Sequence, residues 1–352
     1  MMTYKQYTGS IIVLCVLFIV TGLLSSFYFH LEQLDGDLTR LGWFSEYNFG
    51  HEGKERYFNP VVTQKGDIKK TYDIIILGDS FTNKPPFDKR WHNLLLRDTG
   101  LTIGVFNLRN WSLDKLLASA DYKAHPPKLL IYQSVERALK SRFYTKELDD
   151  CNRELAVNNL KPLSIKPKKV ESYLIGRDKE LSHNIGYGLK FLWRKVSPAS
   201  QVVVHELTSD ILFSSRKSGE LLTYSDDMKK AEWSHELWQS FRCKMRSIQK
   251  QVESNNYTRL LVMIAPDKLT AYAPFLKEKA LRNISQYNSL ITDDDLNILP
   301  LLTYYHDAIE KGEKDLYLPN DTHWSSAGSE LATKAVMEYL YAKGVIVKES
   351  GY

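Results

Sequence analysis

The segment Asp73-Ile74-Ile75-Ile76-Leu77-Gly78 limits the fold more than any other stretch of this chain. Its adjacent branched side chains leave no polar face, so a strand formed here must be covered on both sides, as inside a parallel sheet. The neighbouring pattern agrees. A helix is expected after Pro86, carrying Trp91, Leu94, Leu95 and Leu96 and stopped by Gly100. A strand over Thr102–Leu108, a helix from about Ser112 to Ala120 and a third strand over Lys128–Gln133, set up by Pro126-Pro127, follow. Strand, helix, strand, helix, strand predicts an α/β fold with a doubly wound parallel sheet. Regularity lapses over 141–223, where charges, Pro162, Pro167 and Pro198 interrupt short apolar bursts, and this span reads as an insertion or cap. It returns with a helix expected from about Asp227 to Ser254, whose stripe of Trp233, Leu237, Trp238, Phe241, Met245 and Ile248 is core. A strand over Leu260–Ala265 and a last helix over Ser326–Ala342 complete the pattern.

Ahead of this lies Gly9–Phe29, an uncharged apolar run long enough to cross a bilayer. A cleaved signal peptide competes with a transmembrane anchor. The anchor is preferred because no small-x-small cleavage site precedes His30 and Phe27, Tyr28 and Phe29 resemble an interfacial belt. Lys5 before the run, against Glu32, Asp35 and Asp37 after it, leaves the N-terminus in the cytoplasm and exports the rest. The expected plan is residues 1–30 as cytoplasmic N-terminus and anchor, 31–69 as a tether, and 70–345 as a catalytic domain. With 43% hydrophobic, 12% aromatic and 25% charged residues, the exported part is an ordered globular domain. The net charge of +5 is scattered, which gives no support to a nucleic-acid partner. The cysteines Cys15, Cys151 and Cys243 form no metal-ligand spacing, and a Cys151–Cys243 bridge stays open as a possibility.

Gly78-Asp79-Ser80 falls where the first buried strand ends, the edge at which open α/β sheets place ligands. Gly78 is expected to permit a sharp turn that presents Ser80 with its own N–H toward an oxyanion. A serine hydroxyl needs a base, and the base needs a group that fixes its tautomer. Asp321-Thr322-His323-Trp324, just before the last helix, supplies both: Asp321 and His323, two apart on an extended segment, project to one side. The expected catalytic set is therefore Ser80, His323 and Asp321, without metal or cofactor.

These motifs resemble the SGNH/GDSL hydrolase superfamily and, within it, the alginate O-acetyltransferases and related acetyltransferase-like proteins. Pro127 to Arg137 looks like that family's strand ending in a Glu-Arg pair, Ala265-Pro266-Asp267-Lys268 like its Pro-Asp-Lys segment, and Asp321 to Trp324 like its Asp-x-His-Trp signature. The order of blocks is circularly permuted relative to the alginate enzymes, and the usual second-block glycine is replaced by Arg109-Asn110-Trp111. The resemblance implies a three-layer, flavodoxin-like SGNH sheet flanked by helices. It also implies an O-acyltransferase acting through an acyl-serine on a cell-surface or secreted polysaccharide, at the periplasmic side of the inner membrane. Its acyl donor would be relayed by a membrane-bound O-acyltransferase. A carbohydrate acetylesterase and a non-catalytic glycan-binding subunit are the alternatives. Gly78, Asp79, Asn107, Asn110, Arg137 and Trp324 are candidates for the oxyanion and substrate, with Arg137 equally readable as a structural ion pair, Trp324 as packing, and Asp267-Lys268 as turn chemistry.

Overall fold

The computed structural model describes residues 3–29, 32–58, 64–83, 90–146, 161–168, 170–176, 185–196, 201–291 and 296–348. The strands β1 (Ile74–Gly78), β2 (Ile103–Asn107), β3 (Leu129–Val135) and β4 (Arg259–Ala265) are parallel and lie in the order β4-β3-β1-β2. Gln64–Lys65 adds a short parallel edge beside β2. The helices used below are α1 (Tyr4–Tyr28), α2 (Asp37–Gly42), α3 (Trp91–Thr99), α4 (Leu113–Ala118), α5 (Ile185–Val196), α6 (His235–Glu253), α7 (Leu301–Glu310) and α8 (Ser326–Ala342).

Alternation within β1 explains the layering. Ile74 and Ile76 enter a core with Trp91 and Leu95 of α3, Tyr305 of α7 and Ala332, Ala335 and Val336 of α8. Ile75 and Leu77 enter the opposite core with Leu113 and Leu116 of α4 and Trp238, Phe241, Met245 and Ile248 of α6. Helices thus cover both faces, and each buried Leu or Ile contributes roughly 1.5–3 kcal/mol over its exposed state. Chain order reverses at β1, because β2 joins on one side and β3 on the other. The carboxyl end of β1 is therefore the switch point, where such sheets open a crevice.

Boundaries differ from expectation at two places. β3 runs two residues further, to Val135, which carries Glu136 and Arg137 to the crevice rim. The long helix expected from Asp227 begins only at His235, with Ser234 accepting from the Leu237 N–H. Ser225–Glu232 is a 3-10 turn instead, because Asp227 and Lys230, both buried, belong to an ion cluster described below. The start expected after Pro86 lies outside the described residues, and α3 is described from Trp91.

The tether and the 141–223 span interlock. Lys54–Phe58 pairs antiparallel with Ser172–Gly176, and Val202–Glu206 pairs with Glu220–Tyr224. Leu163–Ile165 runs parallel to Ile346–Lys348, and α5 packs on α1. Of the cysteines, Cys243 is buried on α6 and Cys151 lies outside the described residues.

Candidate active site

At the carboxyl end of β1 the chain turns directly into the short helix Ser80–Asn83. Gly78 is required there by close approach: a Cβ would meet Thr82 Oγ1 at 2.6 Å and Gln133 Oε1 at 2.8 Å. This replaces the turn-based reason, since Gly78 is not among the residues of positive φ. The Gln133 amide oxygen, in β3, accepts from the Asp79 N–H (3.0 Å) and the Thr82 hydroxyl (3.0 Å), and Asn83 Nδ2 donates to the Gly78 carbonyl (2.8 Å). These bonds fix the elbow.

The Asp79 carboxylate is taken up by bonds within the protein, although the residue lines the cleft beside Ser80. It is buried, accepts from the N–H of Val135 (2.7 Å) and Phe81 (3.0 Å), and pairs with Arg142 at 2.6 Å. Its role is to tie β1 to β3.

From the other end of the chain, the turn Pro319–His323 brings the base. Ser80 Oγ and His323 Nε2 are 2.9 Å apart, and His323 Nδ1 lies 2.6 Å from Asp321 Oδ1. The same Oδ1 accepts from the His323 backbone N–H at 3.0 Å, so the acid and the ring are set by one short loop. Asp321 is 4% and His323 also 4% exposed, a dry setting in which hydrogen bonds to a carboxylate are strong.

Two supports hold this loop, one at Lys268 in the Pro-Asp-Lys segment and one with no recognisable sequence signal. Lys268, fully buried, donates from Nζ to the carbonyls of Leu318 (2.8 Å), Pro319 (2.8 Å) and Asp321 (3.2 Å). Burial, only partly offset by Asp321, Asp315 and Asp227, lowers its amine to about 7. The second support comes from the tether. The N–H groups opening α2 face the loop: Asp37 N donates to Asp321 Oδ2 (3.1 Å), and Leu38 N (3.0 Å) and Thr39 N (3.3 Å) donate to the Asn320 carbonyl. Buried Glu46 locks this arrangement. Its Oε1 accepts from Asp35 N (2.9 Å), Gly36 N (3.0 Å) and the Thr39 hydroxyl, and its Oε2 accepts from Asn320 Nδ2 (2.9 Å). An acid in a patternless segment announces none of this. The Asp37 carboxylate is also 3.6 Å from His323 Nδ1, and Asp37, Asp321 and His323 cluster closely enough to form a ligand set. Asp321 and the His323 ring are, however, occupied by each other.

Glu136, Arg137, Asp227, Lys230 and Asp267 form a buried ionic cluster at the ends of β3 and β4. Arg137 Nη1 reaches Asp267 (2.6 Å) and Asp227 (3.3 Å), while Lys230 pairs with Asp267 and with Glu136 (3.3 Å). Burial, reinforced by Asp267, raises the Asp227 carboxyl to about 7. Asp267 is buried as well, but Lys230 and Arg137 hold its carboxyl below the usual range. Asp267 and Lys268 are thus interior anchors rather than turn residues.

A cleft of about 850 Å³ opens over Ser80 and His323. Asn107, paired with Gly78 in register, lines it, and its Oδ1 accepts from the Arg109 N–H (2.8 Å), a bond that does not use the amide nitrogen. Arg137 reaches the wall, but Asp267 and Asp227 engage its guanidinium. Two candidates fall away. Asn110 is exposed and does not line the cleft, because the turn after β2 points it outward. Trp324 is 5% exposed and packs against Phe81 (4.9 Å) and Tyr305 (5.7 Å), so it supports the His323 loop from below.

Residues 221–350 match the family described as SGNH hydrolase-like domain, acetyltransferase AlgX. The matched span holds Asp267, Lys268, Asp321 and His323, whereas Ser80 lies upstream of it. No curated protein matches. A solved structure, protein YXIM of Bacillus subtilis, aligns with a TM-score of 0.36 at 12% identity. That alignment covers 80% of this chain, which spans 58% of the Bacillus protein.

Proposed function

We propose, from the match of residues 221–350 to the SGNH hydrolase-like, AlgX-type acetyltransferase family, that the chain is a membrane-anchored, extracytoplasmic O-acetyltransferase acting on a polysaccharide through an acyl-serine. The observation that carries this reading is the Ser80–His323–Asp321 chain, with contacts of 2.9 Å and 2.6 Å at the mouth of an open cleft.

In the first half-reaction His323 Nε2 takes the Ser80 proton while Oγ attacks the acyl carbonyl. Asp321 holds the ring by Nδ1 and stabilises the imidazolium. The oxyanion is received by the Ser80 backbone N–H and by Asn107 Nδ2, which stand on neighbouring strand ends. Collapse expels the donor's leaving group, which takes the proton from His323. In the second half-reaction His323 deprotonates an acceptor hydroxyl, that oxygen attacks the acyl-serine, and Ser80 recovers its proton. A glycan hydroxyl makes the protein a transferase, and water makes it an esterase. The anchor would hold the cleft beside a membrane-embedded protein that relays the acyl group from the cytoplasm.

The test uses the full chain in detergent with a chromogenic acetyl ester, with and without oligosaccharides, followed by mass spectrometry. Acetyl on Ser80 and acetyl transferred to the sugar are expected. Labelling with release only to water would replace transferase by esterase. A folded protein that never labels, together with a Ser80→Ala variant that keeps its cellular phenotype, would leave a non-catalytic glycan-binding role.

A further inference from the structure

We propose that α5, the helix Ile185–Val196, lies in the outer interface of the membrane that α1 crosses, so that the domain rests on lipid along a second element. The inference rests on reading α1 as a membrane span. Its starting point is where the two helices touch. A Cβ on Gly188 would meet the Gly22 carbonyl oxygen at 2.3 Å and Ser25 Oγ at 2.3 Å, and a Cβ on Gly22 would meet the Ile185 side chain at 2.6 Å. Such a crossing is the small-residue packing that lets two helix backbones approach within a bilayer. The Ser25 and Ser26 hydroxyls both bond back to the Gly22 carbonyl at 3.1 Å, so the contact surface carries no unsatisfied hydroxyl.

Depth follows from the sequence position of that contact. Gly22 lies well inside the uncharged run that ends at Phe29. At about 1.5 Å per residue it is roughly 10 Å from the outer end of the run. A helix seated on Gly22 therefore begins at or below the headgroup level whenever α1 spans the hydrocarbon. Phe191 continues the contact outward, its ring 4.7 Å from that of Phe29.

The exposed Trp193 of α5 has the chemistry of that location. Trp193, at 68%, is among the most exposed large apolar side chains of the described residues. A tryptophan suits the boundary between acyl chains and phosphates, where the indole is half buried. On its other side α5 is bound to the domain. The Lys190 ammonium lies 4.1 Å from the Trp43 ring, and the Arg194 guanidinium lies 3.2 Å from that of Phe44. Trp43 directly follows α2, whose N–H groups hold Asp321. Placing α5 at the lipid surface thus fixes the height of the catalytic loop above the membrane.

The experiment reconstitutes the full chain in phosphatidylcholine and phosphatidylglycerol vesicles and compares wild type with Trp193→Phe, a conservative change at an exposed position. The difference spectrum isolates Trp193. Its emission should be blue-shifted and should lose roughly half or more of its intensity when the acyl chains are brominated near the headgroup, with little loss to aqueous iodide. A chain that fails to float with the vesicles overturns the span reading itself. A chain that floats but whose Trp193 emission is quenched by iodide and not by brominated lipid overturns the interfacial helix. Emission that is blue-shifted yet untouched by either quencher also overturns it, because a protein surface then covers Trp193.

Discussion

Glu46→Ala tests whether the segment between the anchor and the sheet is part of the catalytic machinery. The Glu46 carboxylate accepts two backbone N–H groups, the Thr39 hydroxyl and the Asn320 amide, all around the loop that carries Asp321. Removing it leaves the Asp35 and Gly36 N–H groups without their acceptor, at roughly 1–3 kcal/mol each if water cannot replace it. The sheet core does not include this segment, so the loss falls on the local seating of α2 rather than on the fold. The functional consequence runs through one bond, from Asp37 N to Asp321 Oδ2 at 3.1 Å. A hydrogen bond to a carboxylate is worth about 1.5–3 kcal/mol, so losing it from the transition state lowers kcat roughly 10- to 100-fold. Glu46→Gln, which keeps one oxygen for the two N–H groups, should lose less than about 10-fold. The assay is hydrolysis of a small acetyl ester by the full chain, beside a thermal melt. A folded Glu46→Ala protein with the wild-type kcat would refute the argument.

Lys268 and Asp227 act on stability in adjacent pH windows with opposite signs. Asp227, raised to about 7, keeps its proton in the folded chain while the unfolded chain releases it, so stability falls as pH rises from the ordinary carboxyl range to about 7. Lys268, lowered to about 7, is neutral in the folded chain above that value while the unfolded chain stays protonated, so stability rises from about 7 toward the ordinary lysine value. Each slope is at most about 1.4 kcal/mol per pH unit, and urea titrations should show Asp227→Asn flattening the first window and Lys268→Met the second. Within the ionic cluster, Asp267→Asn should lower Tm well beyond Asp227→Asn, because it strips Arg137 and Lys230 of their shared partner. Gly78→Ala should destabilise by roughly 1–3 kcal/mol in chemical denaturation, since its methyl has to displace Thr82 and Gln133.

What the amino-acid sequence reveals of this fold depends on locality. β1 was legible because adjacent apolar residues have only one arrangement in which all are buried. Ser80, Asp321 and His323 were legible because each sits in a short motif whose chemistry requires the other. The helix over Asp227–Glu232 was misread because Trp233 continues an apolar period across a break, and periodicity does not register that Asp227 and Lys230 turn inward to other charges. Asn110 and Trp324 were proposed for the site by adjacency in sequence, but a tight turn points one outward and packing claims the other. Glu46 and Asp37 were beyond reach: their contacts join residues more than 270 positions apart, and neither flanking sequence has a period or a cap to mark them.

The five interlocked ionisable groups around Arg137, counting Arg137 itself, bear on how this chain can diverge. Asp267 answers to bases on two different segments and Glu136 to Lys230 alone, so replacing Asp267 or Lys230 by itself strips buried charge of a partner in the interior. Exchange for an apolar set is open only to simultaneous changes on β3, on β4 and in the Ser225–Glu232 turn. Descendants reaching that state one substitution at a time would pass through poorly folding ancestors, and the network should therefore persist in lineages whose substrate has long since altered.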